Sequence, residues 1–139
     1  MAQPYPYIDT DVIIRLLTGD DPIKQRAARL LFERVEQGDL TIAAPDTVIA
    51  DAVFVLHSPR LYNKPRAEVA ALLAPLVRLP HFRIQHRRIV LRALTLYGSS
   101  TSGFGDAMIL AAMEAVGSTE LYSYDEELGK TPGIMRKEP

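Results

Sequence analysis

The 139-residue sequence contains no cysteine, which excludes a disulfide framework, thiol catalysis and cysteine-ligated zinc. It has no apolar run approaching the roughly 18 residues of a membrane span. Its N-terminus lacks the basic-then-apolar pattern of a signal peptide. These absences lead us to expect a cytoplasmic protein with no membrane partner. An excess of one charge is missing too. Sixteen Lys and Arg against 17 Asp and Glu leave a net charge of −1, so binding of nucleic acid would need a local basic patch. Histidine is scarce: His57, His81 and His86 are scattered, without metal-ligand spacing, and read as surface or capping residues. Two glycine motifs are incomplete. Gly98 to Gly103 has the spacing of a phosphate loop, but Phe104-Gly105 stands where Lys-Ser/Thr is required. Gly103 and Gly105 begin a dinucleotide fingerprint that Met108 breaks.

What is present is the composition of an ordinary globular domain, 47% hydrophobic and 24% charged, and long enough to bury a real core. Tyr7-Ile8-Asp9 is a short apolar run ending in a carboxylate, and a helical pattern starts at once, with Thr10 or Asp11 as its cap. Pro4 and Pro6 keep that opening strand short. Asp21-Pro22 opens a helix to Gln37, with Ala27, Leu30, Leu31 and Val35 inward. Leu40 to Ala43 reads as a strand and Val48 to His57 as a helix stopped by Ser58-Pro59. A helix follows from Pro65 to Ala74, then a strand Phe82 to Gln85, then a helix Arg87 to Tyr97. Asp106 caps a strongly apolar helix ending near Val116. Leu121 to Ser123 is a last short strand, and Ile134 adds an edge strand. This alternation predicts an α/β fold, a single domain over residues 1–139. Its mainly parallel central sheet would have four to five short strands and helices on both faces.

Four acids stand out. Asp9 and Asp125 each follow a strand and should reach the same end of the sheet, where open α/β sheets place their ligands. Asp106 begins a helix over that end. Asp51 interrupts an otherwise apolar helix surface formed with Val48, Phe54 and Val55. A buried carboxylate without a cationic neighbour needs compensation of several kcal/mol. A cation shared by converging carboxylates would supply it, and hard oxygen donors suit Mg²⁺ or Mn²⁺. Taken singly, Asp106 is also a plain N-cap, Asp125 a turn residue and Asp51 a solvated position. Arg60 and Lys64 form a basic loop that can contact phosphates, and Tyr62 between them can stack on a base. For Arg87, Arg88 and Arg92 a solvated charged face is the expectation.

In order and spacing, Tyr7-Ile8-Asp9-Thr10, Val48 to Leu56 with Asp51, Phe104 to Ala112 with Asp106, and Leu121 to Asp125 resemble the PIN domain, and within it the VapC-like toxins of toxin–antitoxin pairs. The likeness runs from Tyr7 to about Ile134. It implies a Mg²⁺- or Mn²⁺-dependent endoribonuclease with Asp9, Asp51, Asp106 and Asp125 as its catalytic and metal-holding acids. It further implies Ser123, beside Thr10 and Asp11, as an auxiliary polar residue, RNA as substrate, a homodimer, and a small antitoxin protein that blocks the site. The sequence departs from the family in having Asp51 where Glu is usual and Asp11 where Asn is common. Two other functions compete. One is a PIN-like module that binds without cutting. The other is a haloacid-dehalogenase-like phosphatase with Asp9 as nucleophile and Asp11 as acid/base, a scheme that leaves Asp51 without a role.

Overall fold

The computed structural model describes residues 4–139. Helix α1 spans Thr10–Leu17. Its N-cap is Asp9 itself, extended at φ −91°, ψ 164°, with Oδ1 accepting the Thr10 N–H at 2.7 Å. The expectation that Thr10 or Asp11 would cap is corrected: both already lie inside the helix. Helix α2, Pro22–Glu36, begins as its sequence directs, with Asp21 accepting the Lys24 N–H at 3.0 Å and proline in the first turn. Its buried stripe is Ala28, Phe32 and Val35; Val35 is inward as expected, but Ala28 and Phe32 take the places expected of Ala27, Leu30 and Leu31. The stripe is fixed by Phe32, which meets Phe82 edge-on with ring centroids 5.6 Å apart, and Leu30 is left 53% exposed.

Strand β1 is Ile42–Ala44, followed by helices α3 (Asp46–His57) and α4 (Arg66–Val77). Helix α4 runs through Pro75 instead of ending at Ala74. Ala71 and Pro75 are both exposed, so the carbonyl deprived of a partner one turn back can face water. Strand β2 is Phe82–Ile84, then come helices α5 (Arg87–Gly98) and α6 (Phe104–Val116). Strand β3 (Glu120–Tyr122), a single 3-10 turn at Leu128–Lys130 and strand β4 (Met135–Lys137) complete the described chain.

The expected four- to five-stranded sheet is not what forms. β1 and β2 pair in parallel, Ile42 opposite Phe82 and Ala44 opposite Ile84. The Tyr7 segment joins β1 only through a parallel bridge to Ala43, with Ala43 N donating to Pro6 O and Ile8 N to Ala43 O. β3 and β4 form a second parallel pair, hydrogen-bonded to each other and not to the first. Proline at positions 4 and 6 explains the reduction of the opening strand to one bridge, since neither can donate to a ladder. Coverage differs from expectation as well. One face of the first sheet sends Ile42, Ala44, Phe82 and Ile84 into a core with Ile13, Ile49, Leu73 and Val90. The other face presents Tyr7, 70% exposed, and the exposed Arg83.

Candidate active site

The carboxyl end of the Tyr7 segment delivers Asp9 to the start of α1, and Asp11 follows in the first turn. Helix α3 packs against α1 and brings Asp51 alongside. Asp9, Asp11 and Asp51 line one cleft of about 540 Å³, with Thr10 at its edge and Phe54, Leu61 and Tyr62 among its walls. The grouping of Asp9 with Asp51 matches the sequence reading, but its reason does not. Asp51 is exposed and Phe54 beside it is 71% exposed. The core-facing positions of α3 are Val48, Ile49, Ala52, Val53 and Leu56. Asp51 therefore lies on the solvated side of the helix and carries no burial penalty for a cation to relieve.

Asp106 is half-buried in the first turn of α6 and is not its cap: the N-cap is Gly103, with no side-chain cap bond. It does not line the Asp9–Asp51 cleft. Phe104 and Gly105, just before it, border a second cavity of about 400 Å³ that shares Phe54 as a wall with the first. Asp125 is farther from expectation. With β3 outside the first sheet, Asp125 and Asp9 do not end neighbouring strands. Its Oδ1 accepts the Glu127 N–H at 2.9 Å, and Ser123 Oγ accepts the Asp125 N–H at 3.0 Å. Both side chains serve the turn that follows β3, the plainer of the two roles open to Asp125 and a local role for Ser123.

The basic loop is tied down. Tyr62 donates its hydroxyl to Asp20 Oδ2 at 2.7 Å, and Lys64 pairs with Glu68 at 3.5 Å. Arg60 is exposed. Asp20 also accepts Thr18 Oγ1 at 3.0 Å and Arg15 Nη1 at 3.2 Å. The Tyr62 hydroxyl first, then the Thr18 hydroxyl and the Arg15 charge, hold its carboxyl below the usual carboxylate range. No sequence signal links Asp20 to a tyrosine 42 positions away, and this anchor of the cleft rim escaped the sequence reading. Arg87 also departs from the solvated face expected of it. It turns inward to donate to the Leu79 and Phe82 carbonyls, with Nε buried and unpartnered. Arg92 pairs with Glu114 at 3.1 Å on the surface, as a solvated face would. Of the three histidines, His57 and His81 are half-buried and bond Lys64 O and Thr41, whereas His86 is exposed at the N-cap of α5, makes no side-chain cap bond and bonds Asp46.

Exposed carboxylates without imidazole or thiolate are the donors a hard cation takes. Their placement is a different matter. Among the described residues no three histidine or acidic side chains stand together in a way that could hold a metal ion, so the four acids as placed do not fit a formed metal centre. No helix is long and apolar enough to cross a membrane among the described residues.

The family model of the PIN domain matches residues 7–134. No curated protein sequence matches the chain. The matched span includes Asp9, Asp51, Asp106 and Asp125 and covers nearly the whole chain, so the protein belongs to the PIN domain family, whose members are generally nucleases and often metal-dependent.

Proposed function

We propose that the protein is an endoribonuclease that requires Mg²⁺ or Mn²⁺ and acts as the VapC-like toxin of a toxin–antitoxin pair. It would work as a cytoplasmic homodimer silenced by a small antitoxin. The observation that carries the nuclease reading is the cleft of a PIN domain in which Asp9, the N-cap of α1, and Asp51, from α3, stand on one surface with Asp11. In this reading Asp9 and Asp51 orient water and phosphodiester in the cleft. Arg15, held against Asp20 at its edge, offsets part of the negative charge that an incoming phosphate meets. Asp106 and Asp125 are the remaining catalytic and metal-holding acids, with Thr10, Asp11 and Ser123 as auxiliary groups and Arg60, Tyr62 and Lys64 as RNA contacts. A divalent ion is the usual partner of PIN domains. Holding one here requires Asp106 and Asp125 to close on the Asp9–Asp51 pair.

The dispersed acids favour a second reading, a PIN domain that binds RNA or an antitoxin without cutting. Cleavage of labelled single-stranded RNA with Mg²⁺, with Mn²⁺ and with EDTA separates the two. Metal-dependent cutting that falls about 10²-fold or more in Asp9→Asn, a larger loss than removal of a ligand's supporting partner usually causes, establishes the nuclease. No cutting of a broad RNA panel under any metal leaves the binding module.

A further inference from the structure

The uncovered face of the first sheet has a composition the acidic cleft does not explain. A cavity of about 540 Å³ lies over it, bordered by Tyr5, Tyr7, Arg83 and Gln85, with no acidic side chain in its lining. Tyr7 is 70% and Tyr5 41% exposed. Neither ring belongs to the core, which the opposite face already supplies. Arg83 is exposed and has no hydrogen-bond or ion-pair partner among the described residues. Arg87 at the rim is committed to the Leu79 and Phe82 carbonyls, which leaves Arg83 as the unpaired charge of this lining among the described residues. In extended backbone, residues two apart share a side. Tyr5 and Tyr7 accordingly line one cavity, and Asp9, the next residue at that spacing and still extended, lines the acidic cleft.

We propose that this face is a binding platform for single-stranded RNA, with Tyr5 and Tyr7 stacking on unpaired bases and Arg83 meeting a backbone phosphate. Aromatic rings on an open sheet accept any base face, so stacking of this kind tolerates any sequence. The absence of acid in the lining admits a polyanion that the Asp9–Asp11–Asp51 cleft alone would repel. A duplex, with its bases stacked inside, cannot offer them to the tyrosines. The proposal rests on the ribonuclease reading only for the choice of RNA over DNA; stacking and charge stand on the face itself.

The test is equilibrium binding of a short 2-aminopurine-labelled RNA to the full chain in EDTA, with the oligonucleotide recovered intact afterwards. Tyr7→Leu should weaken binding about tenfold and abolish quenching of the probe, while Tyr7→Phe keeps both. Arg83→Gln should lower the slope of log affinity against log salt by about one. Because Tyr7 and Arg83 are exposed, both variants should melt with the parent; if Tyr7→Leu fails to fold, Arg83→Gln and the salt slope still decide. Unchanged affinity in the leucine and glutamine variants, or duplex RNA binding as tightly as single strands, overturns the proposal. So does self-association lost in Tyr7→Leu with RNA affinity intact, which would make the face a contact between copies. Binding that follows the proposal without any cleavage under Mg²⁺ or Mn²⁺ sinks the nuclease reading alone.

Discussion

Tyr97 shows how one side chain sets a pH limit. The residue is 3% exposed, its ring packed edge-on to His57 and Phe104. Burial raises its phenol above the ordinary value, and the Arg66 charge only partly counters this. A folded pKa above the unfolded one means that the unfolded chain loses its proton first. The stability this group contributes is complete below about pH 10 and is lost as pH climbs through the raised folded value. Denaturant titrations at rising pH should show that loss, and Tyr97→Phe should flatten it with little change at neutrality. Asp20 sets the opposite limit. Its depressed carboxyl anchors the Tyr62 loop above the usual carboxylate pKa of about 3.9 and releases it as pH falls further. Protection factors of the amides of residues 60–64, taken relative to the intrinsic exchange rate at each pH, should fall on acidification, and Asp20→Ala should show the lowered protection already at pH 7.

At the scale of the element, local chemistry was legible and phase was not. Asp21-Pro22 and Ser58-Pro59 stand where capping and proline rules put them, because those rules act within one turn. The stripe of α2 and the outward face of α3 depend on partners far along the chain. Phe32 finds Phe82, and no window around Phe32 contains that information. The apolar neighbours of Asp51 do not all face inward, as Phe54 at 71% exposure shows, so they carry no signal that Asp51 is buried. Its place in the cleft with Asp9 came from the ordered motifs of the family. Phe82 has no exposed surface and supports both β2 and α2, so Phe82→Ala should cost about 3–5 kcal/mol of unfolding free energy, read from denaturant midpoints at unchanged slope. Arg66 has a similar bridging role at lower burial. Its guanidinium lies 4.0 Å from the Tyr97 ring centre and donates to the Tyr97 and Ser102 carbonyls. Arg66→Met should therefore cost about 2 kcal/mol, from the lost cation–ring contact and two stranded carbonyls.

The whole molecule divides its stability unevenly. The core runs from α1 to α6 and takes in β1 and β2, whereas no residue of β3 or β4 belongs to it. Tyr122 and Met135 are 66% and 57% exposed, and Leu128 is the buried residue of this C-terminal part. Few buried contacts mean a low free energy of local opening. In hydrogen exchange, amides of residues 120–122 and 135–137 should lose protection well before those of α5 and α6. Exchange of both at one rate would show that the C-terminal pair opens only with the whole domain. The same division explains why the sheet was overestimated. Strand-like composition recurs along the chain, but whether two short pairs merge into one sheet depends on long-range hydrogen bonds that no local pattern encodes.

The Arg66 clasp has a consequence for timing. It fastens the start of α4 to the end of α5 and to Ser102, one residue before the cap of α6, so most of the freedom of residues 99–102 is surrendered when the chain folds. Whatever docks beside the first turn of α6 meets a loop already ordered and pays no second entropic penalty for arranging it. Asp106, in that first turn, therefore follows a loop whose course the Arg66 clasp has already set.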